Sequence, residues 1–312
     1  MNGSAPVVDA KADRVRRAMR ELEYRPATAA QVLARRRTKT VGLLLSRISG
    51  DYVASLLRGI ETEVSAAGMN LLVSTAGAGR SSALGEHNTD GLLVFADGMS
   101  DDDLRFAWAR RHPVVLLHRT PPRDLAIPSV TVENKGGARQ LVDHLIEAHG
   151  ARSIAYLRGP AGHEDSRWRE LGYRDSLAAH GITVDPDLIG DGGFTSSGGE
   201  RQAAAWIAGG LAFDAVFAGD DAAAVGVLQA LRRLAPERRV AVVGFDDTPL
   251  ARHVAPSLTT VRAPTEAVGS AAVRRLLEMG SADPEAPLLT LLPTHIVLRR
   301  SCGCPGDREE QG

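Results

Sequence analysis

Residues 40–68 read TVGLLLSRISGDYVASLLRGIETEVSAAG, a short apolar run followed by an amphipathic stretch. The run Val41–Ser46 is flanked by polar residues and has the length of a buried β-strand. Over Tyr52–Ala67 the apolar side chains recur on one helical face, and they are Leu56, Leu57, Ile60 and Val64. A strand followed by a helix is the repeating unit of a parallel sheet, so this stretch indicates the fold class.

The same alternation continues along the chain. Further strands are predicted at Met69–Ser74, Gly91–Phe95, Val114–Leu117, Ser153–Leu157, Ala215–Ala218 and Val240–Gly244. Further helices are predicted at Gly136–Ala148, Ser166–Ala179, Gly199–Ala208, Ala222–Leu234 and Thr265–Met279. This pattern predicts an α/β fold of two lobes, each a parallel sheet with helices on both faces. Ligands of such sheets bind beyond the carboxyl ends of the strands.

Composition and charge narrow the class of protein. The chain has 312 residues, of which 44% are hydrophobic, so it can bury a sizeable core. Residues 1–40 contain ten Lys or Arg and four acids, although the whole chain has a net charge of −1. A basic N-terminal segment on an acidic remainder is typical of a polyanion-binding arm attached to a soluble sensor. The alternative is that the basic residues form a charged helix that is only solvated. Since we find neither an apolar run of about 18 residues nor a secretory signal pattern, we expect a cytoplasmic protein with no membrane-spanning helix.

Neither the cysteines nor the sequence motifs indicate a metal site or a catalytic site. Cys302 and Cys304 form a C-x-C motif, and two thiols are too few for a tetrahedral zinc site by themselves. We therefore expect reduced cysteines and no metal site. The sequence contains no G-x-S-x-G, P-loop or H-E-x-x-H pattern. We accordingly expect neither an enzyme nor a cofactor.

Several short segments occur in an order that is typical of one family. They are Met1-Asn2-Gly3, Leu22-Glu23-Tyr24-Arg25-Pro26, Val41-Gly42-Leu43-Leu44, Leu57-Arg58-Gly59-Ile60-Glu61, Thr89-Asp90-Gly91-Leu92, Val132-Glu133-Asn134, Arg169-Glu170-Leu171-Gly172-Tyr173, Val243-Gly244-Phe245-Asp246-Asp247 and Pro256-Ser257-Leu258-Thr259-Thr260-Val261. Their order and spacing resemble the LacI (lactose-repressor) family of bacterial transcription regulators. The resemblance implies a two-lobed, periplasmic-binding-protein-like sensor preceded by a truncated helical DNA-binding head and a hinge helix. It also implies a homodimer that binds operator DNA and a sugar or sugar derivative as effector.

The resemblance also divides the chain into parts. Residues 1–24 are the remnant of a helix-turn-helix head, 25–40 the hinge helix and linker, 41–304 the sensor and 305–312 a disordered tail. Lobe one comprises 41–132 and 263–291, and lobe two comprises 133–262 and 292–301. Met1 stands where the family has a leucine late in the head, so the two DNA-reading helices are absent from this chain. We expect the native reading frame to extend upstream, and a naturally headless sensor is the alternative.

The segment Pro26–Ala34 matches the hinge helix of the family, and proline is compatible with a first helical turn. The resemblance assigns the DNA contacts of the hinge to Thr28, Ala30, Gln31 and Leu33. The small side chain of Ala30 lets two hinge helices approach, and Leu33 would wedge between base steps from the minor groove. Gln31 replaces the usual arginine, so attraction to phosphate is expected to be weaker. The alternative is an ordinary linker helix whose leucine packs on the sensor.

The resemblance places the effector site at seven residues: Arg169, Asp246, Phe194, Asp220, Asn134, Tyr52 and His118. A guanidinium at Arg169 can grip hydroxyls in a forked geometry, and Asp246 would accept hydrogen bonds from the ligand. The ring of Phe194 would stack on the apolar side of a sugar or purine. The structural alternatives are a surface arginine, helix N-caps at the aspartates and a core-packed aromatic ring.

One segment departs from the family. Between Ser74 and Asp90 the sequence is short and rich in glycine and serine, which predicts a loop where the family usually has a full helix. That helix contributes to the dimer face of lobe one, so the sequence supports the dimer contact less well here. We interpret the chain as a ligand-responsive transcriptional regulator, a repressor by resemblance. A sugar-binding protein without DNA-binding activity is the alternative.

Overall fold

The computed structural model describes residues 13–14, 17–18, 21, 38–46, 48, 50–75, 83–279, 287–305 and 308–309. The described residues of the predicted head are helical. The four predicted DNA contacts of the hinge, Thr28, Ala30, Gln31 and Leu33, lie outside the described residues. Within the described ranges, each helix is too short or too polar to cross a membrane.

Strands and helices alternate through the described chain. In chain order the elements are β1 (Thr40–Leu45), α1 (Asp51–Ala66), β2 (Asn70–Thr75), β3 (Gly91–Phe95), α2 (Asp101–Ala109), β4 (Val114–Leu117), β5 (Ser129–Val132), α3 (Asn134–His149), β6 (Ile154–Arg158), α4 (Glu164–Ala179), β7 (Ile189–Asp191), α5 (Ser196–Ala208), β8 (Ala215–Ala218), α6 (Asp221–Leu234), β9 (Ala241–Val243), α7 (Pro249–His253), β10 (Thr260–Arg262), α8 (Thr265–Glu278), β11 (Leu289–Leu292), β12 (His295–Leu298) and β13 (Arg308–Glu309). The predicted α/β alternation is confirmed.

Six parallel strands form the first sheet, in the order β11-β5-β4-β3-β1-β2. We call this sheet and the helices packed on it the first lobe. The helices α1 and α8 approach closely, since a Cβ added at Gly59 would lie 1.9 Å from the carbonyl oxygen of Glu266. Leu56 and Ile60, on the predicted apolar face of α1, are fully buried. The apolar periodicity of the opening stretch therefore corresponds to a helix face that packs in the core.

Four parallel strands form the second sheet, in the order β7-β6-β8-β9. We call this sheet and its helices the second lobe. Its core contains Tyr156 stacked on Tyr173, with 5.1 Å between ring centroids. The chain passes between the lobes three times: after β5, between β10 and α8, and between β11 and β12. These three connections leave a cleft at the carboxyl ends of the strands.

The end of the chain differs from the sequence prediction at two residues. The prediction places Arg308 and Glu309 in a disordered tail, but the two residues form β13. This strand pairs antiparallel with β12, and β12 pairs with β10. The free edge of β12 offers backbone donors and acceptors to the returning chain.

The glycine- and serine-rich segment before β3 is a turn in its described part, residues 83–90. The backbone amides of Asn88 and Thr89 donate to the carbonyl oxygen of Gly85 at 3.1 and 2.9 Å. Helical structure does not occur within these eight residues. This agrees with the predicted loop.

Helix α2 is not predicted by the sequence pattern. Its start is capped by the hydroxyl of Ser100, which accepts a hydrogen bond from the backbone amide of Asp103 at 3.1 Å. Along the helix only Leu104 and Ala107 are buried. Two buried positions give too weak a periodicity to separate this helix from a loop.

Candidate effector site

A cavity of about 360 Å³ lies between the lobes, beyond the carboxyl ends of the strands. Tyr52 and Phe95 line it from the first lobe. Arg169, Phe194 and Asp246 line it from the second lobe. Further polar side chains of its wall include Asp97, His163, Asp165, Asp220 and Thr248. A molecule bound in this cavity would contact both lobes.

Helix α4 carries Arg169 to the wall of the cavity, where the residue is 2% exposed. Its Nε donates to Asn134 Oδ1 at 2.8 Å, and its Nη1 donates to the carbonyl oxygen of Gly219 at 2.6 Å. Its Nη2 donates to Asp246 Oδ1 at 3.1 Å. The guanidinium carbon lies 3.8 Å from the ring centroid of Phe245. These bonds use three of the five N–H groups, and Asp165 Oδ2 lies 3.9 Å from Nη2.

Asp246 and Asp247 follow β9 but have different surroundings. Both have a positive φ, 107° and 53°, in a turn that directs their side chains apart. Asp246 faces the cavity, whereas Asp247 contacts Arg299 Nη2 at 2.5 Å and Arg262 Nε at 2.6 Å. The N-cap of α7 is Thr248, so the alternative of a helix cap at Asp246 is wrong.

A chain of buried hydrogen bonds joins the two lobes beside the cavity. The hydroxyl of Tyr52 lies 2.5 Å from His118 Nε2, and His118 Nδ1 lies 2.8 Å from Asp165 Oδ2. Asp165 Oδ1 accepts a hydrogen bond from Asn134 Nδ2 at 2.9 Å. Tyr52 and His118 belong to the first lobe, and Asp165 belongs to the second. The relative position of the lobes is therefore coupled to side chains at the wall of the cavity.

The seven predicted effector residues fall into two groups. Five line the cavity: Tyr52, Arg169, Phe194, Asp220 and Asp246. Asn134 and His118 are buried behind that wall, where Asn134 holds Arg169 and His118 holds Tyr52. We therefore expect these two residues to position the lining side chains.

Phe194 and Asp220 border the cavity from two loops of the second lobe. The ring of Phe194 lies against Gly159, where an added Cβ would be 2.2 Å from it. The same ring meets His163 edge-on, with 5.2 Å between centroids. Asp220 caps α6, since its Oδ1 accepts from the backbone amide of Ala223 at 2.9 Å. The cap holds this carboxylate at the wall of the cavity.

Asp165 and His163 are among the lining residues that do not follow from the sequence pattern. Asp165 precedes Arg169 by four residues on α4, which places both side chains on one helical face. This spacing is the sequence signal from which Asp165 could have been predicted. His163 lies just before α4, and its buried Nδ1 has no hydrogen-bond partner among the described residues. An isolated histidine before a helix gives no such signal. Both belong to the site because the fold brings them to it.

Burial and neighbouring charges shift the pKa values of the cavity. Burial opposes ionisation of Asp165, but His118 and Arg169 outweigh it and hold the pKa of this carboxyl well below its usual range. At Asp246 burial dominates over Arg169 and raises the pKa to about 7. Burial lowers the pKa of His163. Near neutral pH the cavity thus contains an anionic Asp165, a neutral His163 and a partly protonated Asp246.

Comparison with known proteins identifies the family. A family model described as a periplasmic binding protein-like domain matches residues 142–302. The HTH-type transcriptional regulator CelR of Thermobifida fusca is 33% identical over 324 residues, which cover 96% of this chain and 92% of CelR. The chain belongs to the LacI family of transcriptional regulators. Membership in the LacI family confirms the predicted two-lobed fold, and it favours the regulator interpretation over the solute-binding alternative.

Solved LacI-family structures agree with this assignment. A complex of the transcriptional regulator CelR with cellobiose has a TM-score of 0.75 and 32% identity, and covers 96% of this chain and 93% of its own. A sugar-binding LacI-family regulator from Escherichia coli, complexed with phosphate, has a TM-score of 0.69 and 28% identity. The match covers 85% of this chain and 98% of that one. These LacI-family relatives are transcriptional regulators.

Proposed function

We propose that this LacI-family member is a cytoplasmic transcriptional regulator that binds operator DNA as a homodimer and responds to a sugar or sugar derivative. The observation that carries the proposal is the buried pair of Arg169 and Asp246 at the wall of an interlobe cavity. With Phe194, the pair offers hydrogen-bond donors, an acceptor and an aromatic face. A polyhydroxylated ring, with polar edges and apolar faces, requires this combination.

The polar groups of the cavity suit an effector with several hydroxyls. The guanidinium of Arg169 can donate, and the carboxylate of Asp246, whose Oδ1 accepts from Arg169, can accept a further hydrogen bond. The buried Nδ1 of His163 provides a further contact. A volume of about 360 Å³ is at the lower end of the range of ligand pockets, so we expect a mono- or disaccharide. Since CelR is known in complex with cellobiose, this disaccharide is the first effector to test.

We assign no catalytic step to the cavity. Tyr52, His118 and Asp165 contact one another in the order in which an acid–base relay would pass a proton. However, burial raises the pKa of Tyr52 well above its usual range. A phenol that resists ionisation is a poor general acid or nucleophile near neutral pH. The three side chains instead hold the lobes in one arrangement.

The same contacts suggest how the effector site communicates with DNA. His118 of the first lobe holds Asp165 of the second at 2.8 Å. Asp90, just before β3, accepts hydrogen bonds from the backbone amides of Thr38 and Lys39 at 2.5 and 2.9 Å. The linker is thereby fixed to the first lobe. We infer that effector binding changes the angle between the lobes and so the spacing of two hinges in the dimer, to the extent that the effector prefers one arrangement.

Calorimetry with a panel of saccharides that includes cellobiose tests the effector site. We expect Phe194→Ala to weaken binding about 10-fold, because an aromatic stacking contact contributes up to about 1.5 kcal/mol. Phe106→Ala is the matched control, since Phe106 lies on α2, outside the cavity, and is 66% exposed. If every saccharide in the panel fails to bind the unaltered chain, the effector class is wrong.

Fluorescence anisotropy with labelled operator DNA tests the regulatory step. Operator affinity of the dimer with a complete DNA-reading head should change about 5- to 150-fold between saturating effector and none, the usual range of allosteric coupling. An unchanged operator affinity would contradict the regulatory mechanism, even if the saccharide binds.

A further inference from the structure

Two histidines of α3 lie beside the C-x-C motif of the C-terminal turn. One ligand atom each from His144, His149, Cys302 and Cys304 can be chosen so that all four lie within 4.8 Å of one another. Cys302 is buried, His144 and Cys304 are half-buried, and His149 is exposed. None of the four lines the effector cavity. The sequence offers two thiols alone at this point, and the fold adds two imidazoles from about 150 residues earlier in the chain.

Four of the six distances between the ligand atoms match the edges of a tetrahedron around one ion. His144 Nε2 lies 3.7 Å from Cys302 Sγ and 3.6 Å from Cys304 Sγ, and His149 Nε2 lies 3.5 Å from Cys304 Sγ. The two Nε2 atoms are 3.2 Å apart. Zinc bonds of about 2.3 Å to sulfur and about 2.05 Å to nitrogen place tetrahedral neighbours roughly 3.6 Å (S to N) and roughly 3.3 Å (N to N) apart. All four distances lie within about 0.2 Å of these values.

The turn that carries the thiols is held by a hydrogen bond to β9. Gly303 has a φ of 103°, a left-handed conformation that favours glycine, and it lets Cys302 and Cys304 direct both sulfurs to one side. The hydroxyl of Ser301, just before the motif, donates to the carbonyl oxygen of Val242 at 2.5 Å. The turn is thus anchored to β9 before any ion binds.

The surroundings of Cys302 favour a thiolate. Thr259 Oγ1 lies 3.0 Å from Cys302 Sγ and can donate its hydrogen to a sulfur anion. Thiolates are the form of cysteine that binds metal ions.

We propose that His144, His149, Cys302 and Cys304 bind one zinc ion through two imidazole nitrogens and two sulfurs. Binding releases the thiol protons to solvent. Two thiolates with two imidazoles are a zinc donor set, and four protein ligands close the tetrahedron, so the ion is structural and not catalytic. Exposed His149 provides the route of entry. The ion would tie the C-terminal turn to the end of α3 in the second lobe.

Metal analysis of the untagged, reduced chain tests the proposal. After incubation with zinc and desalting, mass spectrometry should find about one zinc per chain. The zinc content of the double variant His149→Ala/Cys304→Ser should be lower by about 10-fold or more. Its far-UV circular dichroism spectrum shows whether it is folded. His253→Ala is the control, because His253 is an exposed histidine outside the four-residue cluster. Cobalt in place of zinc should give a sulfur-to-metal charge-transfer band that Cys304→Ser diminishes.

Thermal unfolding gives a second readout that does not depend on effector binding. Zinc should raise the melting temperature of the unaltered chain over the chelator-treated chain, since it binds only the folded site, and should leave the double variant unchanged. The proposal is overturned if the reduced chain holds less than about a tenth of a zinc ion. It is also overturned if the folded double variant binds as much zinc as the unaltered chain, or if copper or iron is bound in its place.

Discussion

Replacing Arg169 by alanine would leave two buried carboxylates without their guanidinium partner. Asp246 Oδ1 lies 3.1 Å and Asp165 Oδ2 lies 3.9 Å from Arg169 Nη2. Removing one partner of a buried pair costs about 3–5 kcal/mol of the free energy of unfolding, because the other charge stays desolvated. Asp165 keeps His118 at 2.8 Å, and Asp246 can be protonated, since its pKa is raised to about 7 by burial. We therefore expect Arg169→Ala to lower the free energy of unfolding by about 3 kcal/mol, the lower end of this range.

Arg174→Ala is the matched control on the same helix. Arg174 Nη2 contacts Glu170 Oε1 at 2.7 Å, but the arginine side chain is 39% exposed, and a solvated pair contributes only about 0–1 kcal/mol. Urea unfolding followed by far-UV circular dichroism compares the two variants at neutral pH. In the double variant Arg169→Ala/Asp246→Ala, the loss should be smaller than the sum of the single losses by about 1–3 kcal/mol.

The pH dependence provides an independent check on this reasoning. Without Arg169, the pKa of Asp246 should rise further, because burial then acts without an opposing charge. A carboxyl whose folded pKa is raised contributes stability at low pH that is lost as the pH rises. The difference in the free energy of unfolding between Arg169→Ala and the unaltered chain should thus become smaller as the pH is lowered from roughly 8 to 5.5. The reasoning is refuted if Arg169→Ala and Arg174→Ala destabilise equally, by less than about 1 kcal/mol.

Three further predictions concern the effector, the packing and the hinge. Burial raises the pKa of Asp246 to about 7. Saccharide affinity should therefore increase from roughly pH 6 to pH 8, because the carboxylate is a stronger hydrogen-bond acceptor than the protonated acid. Calorimetry should show that Asp246→Asn lacks this pH dependence. Gly59→Ala should lower the free energy of unfolding by about 1–3 kcal/mol, since a Cβ there meets the backbone of α8 at 1.9 Å. In the same urea titration, Gly209→Ala, whose Cβ meets nothing closer than 3.3 Å, should be nearly neutral. Leu33→Ala should weaken operator binding in anisotropy measurements and leave effector affinity unchanged, because only the minor-groove wedge is lost.

The sequence by itself determines the elements whose apolar residues are continuous and local. The strands β3, β4 and β8 have the predicted bounds, because each is a short apolar run between polar or turn-forming residues. The motif that ends in Asp246 and Asp247 also points to the cavity, since it follows a buried strand, whereas Arg169 lies inside α4 and is assigned to the cavity by the family resemblance. In all these cases the information lies within a few consecutive residues.

Tertiary structure alone decides which distant residues meet. His118 and Asp165 come from different lobes, and the histidines of α3 meet the C-x-C turn because β12, which leads into that turn, packs beside α3. Burial, which exists only in the folded chain, raises the pKa of Asp246. Short elements such as β7 and β10 also depend on long-range pairing, because three residues are too few to show a period. Such contacts are fixed by the packing of whole elements, and no local pattern in the sequence encodes them.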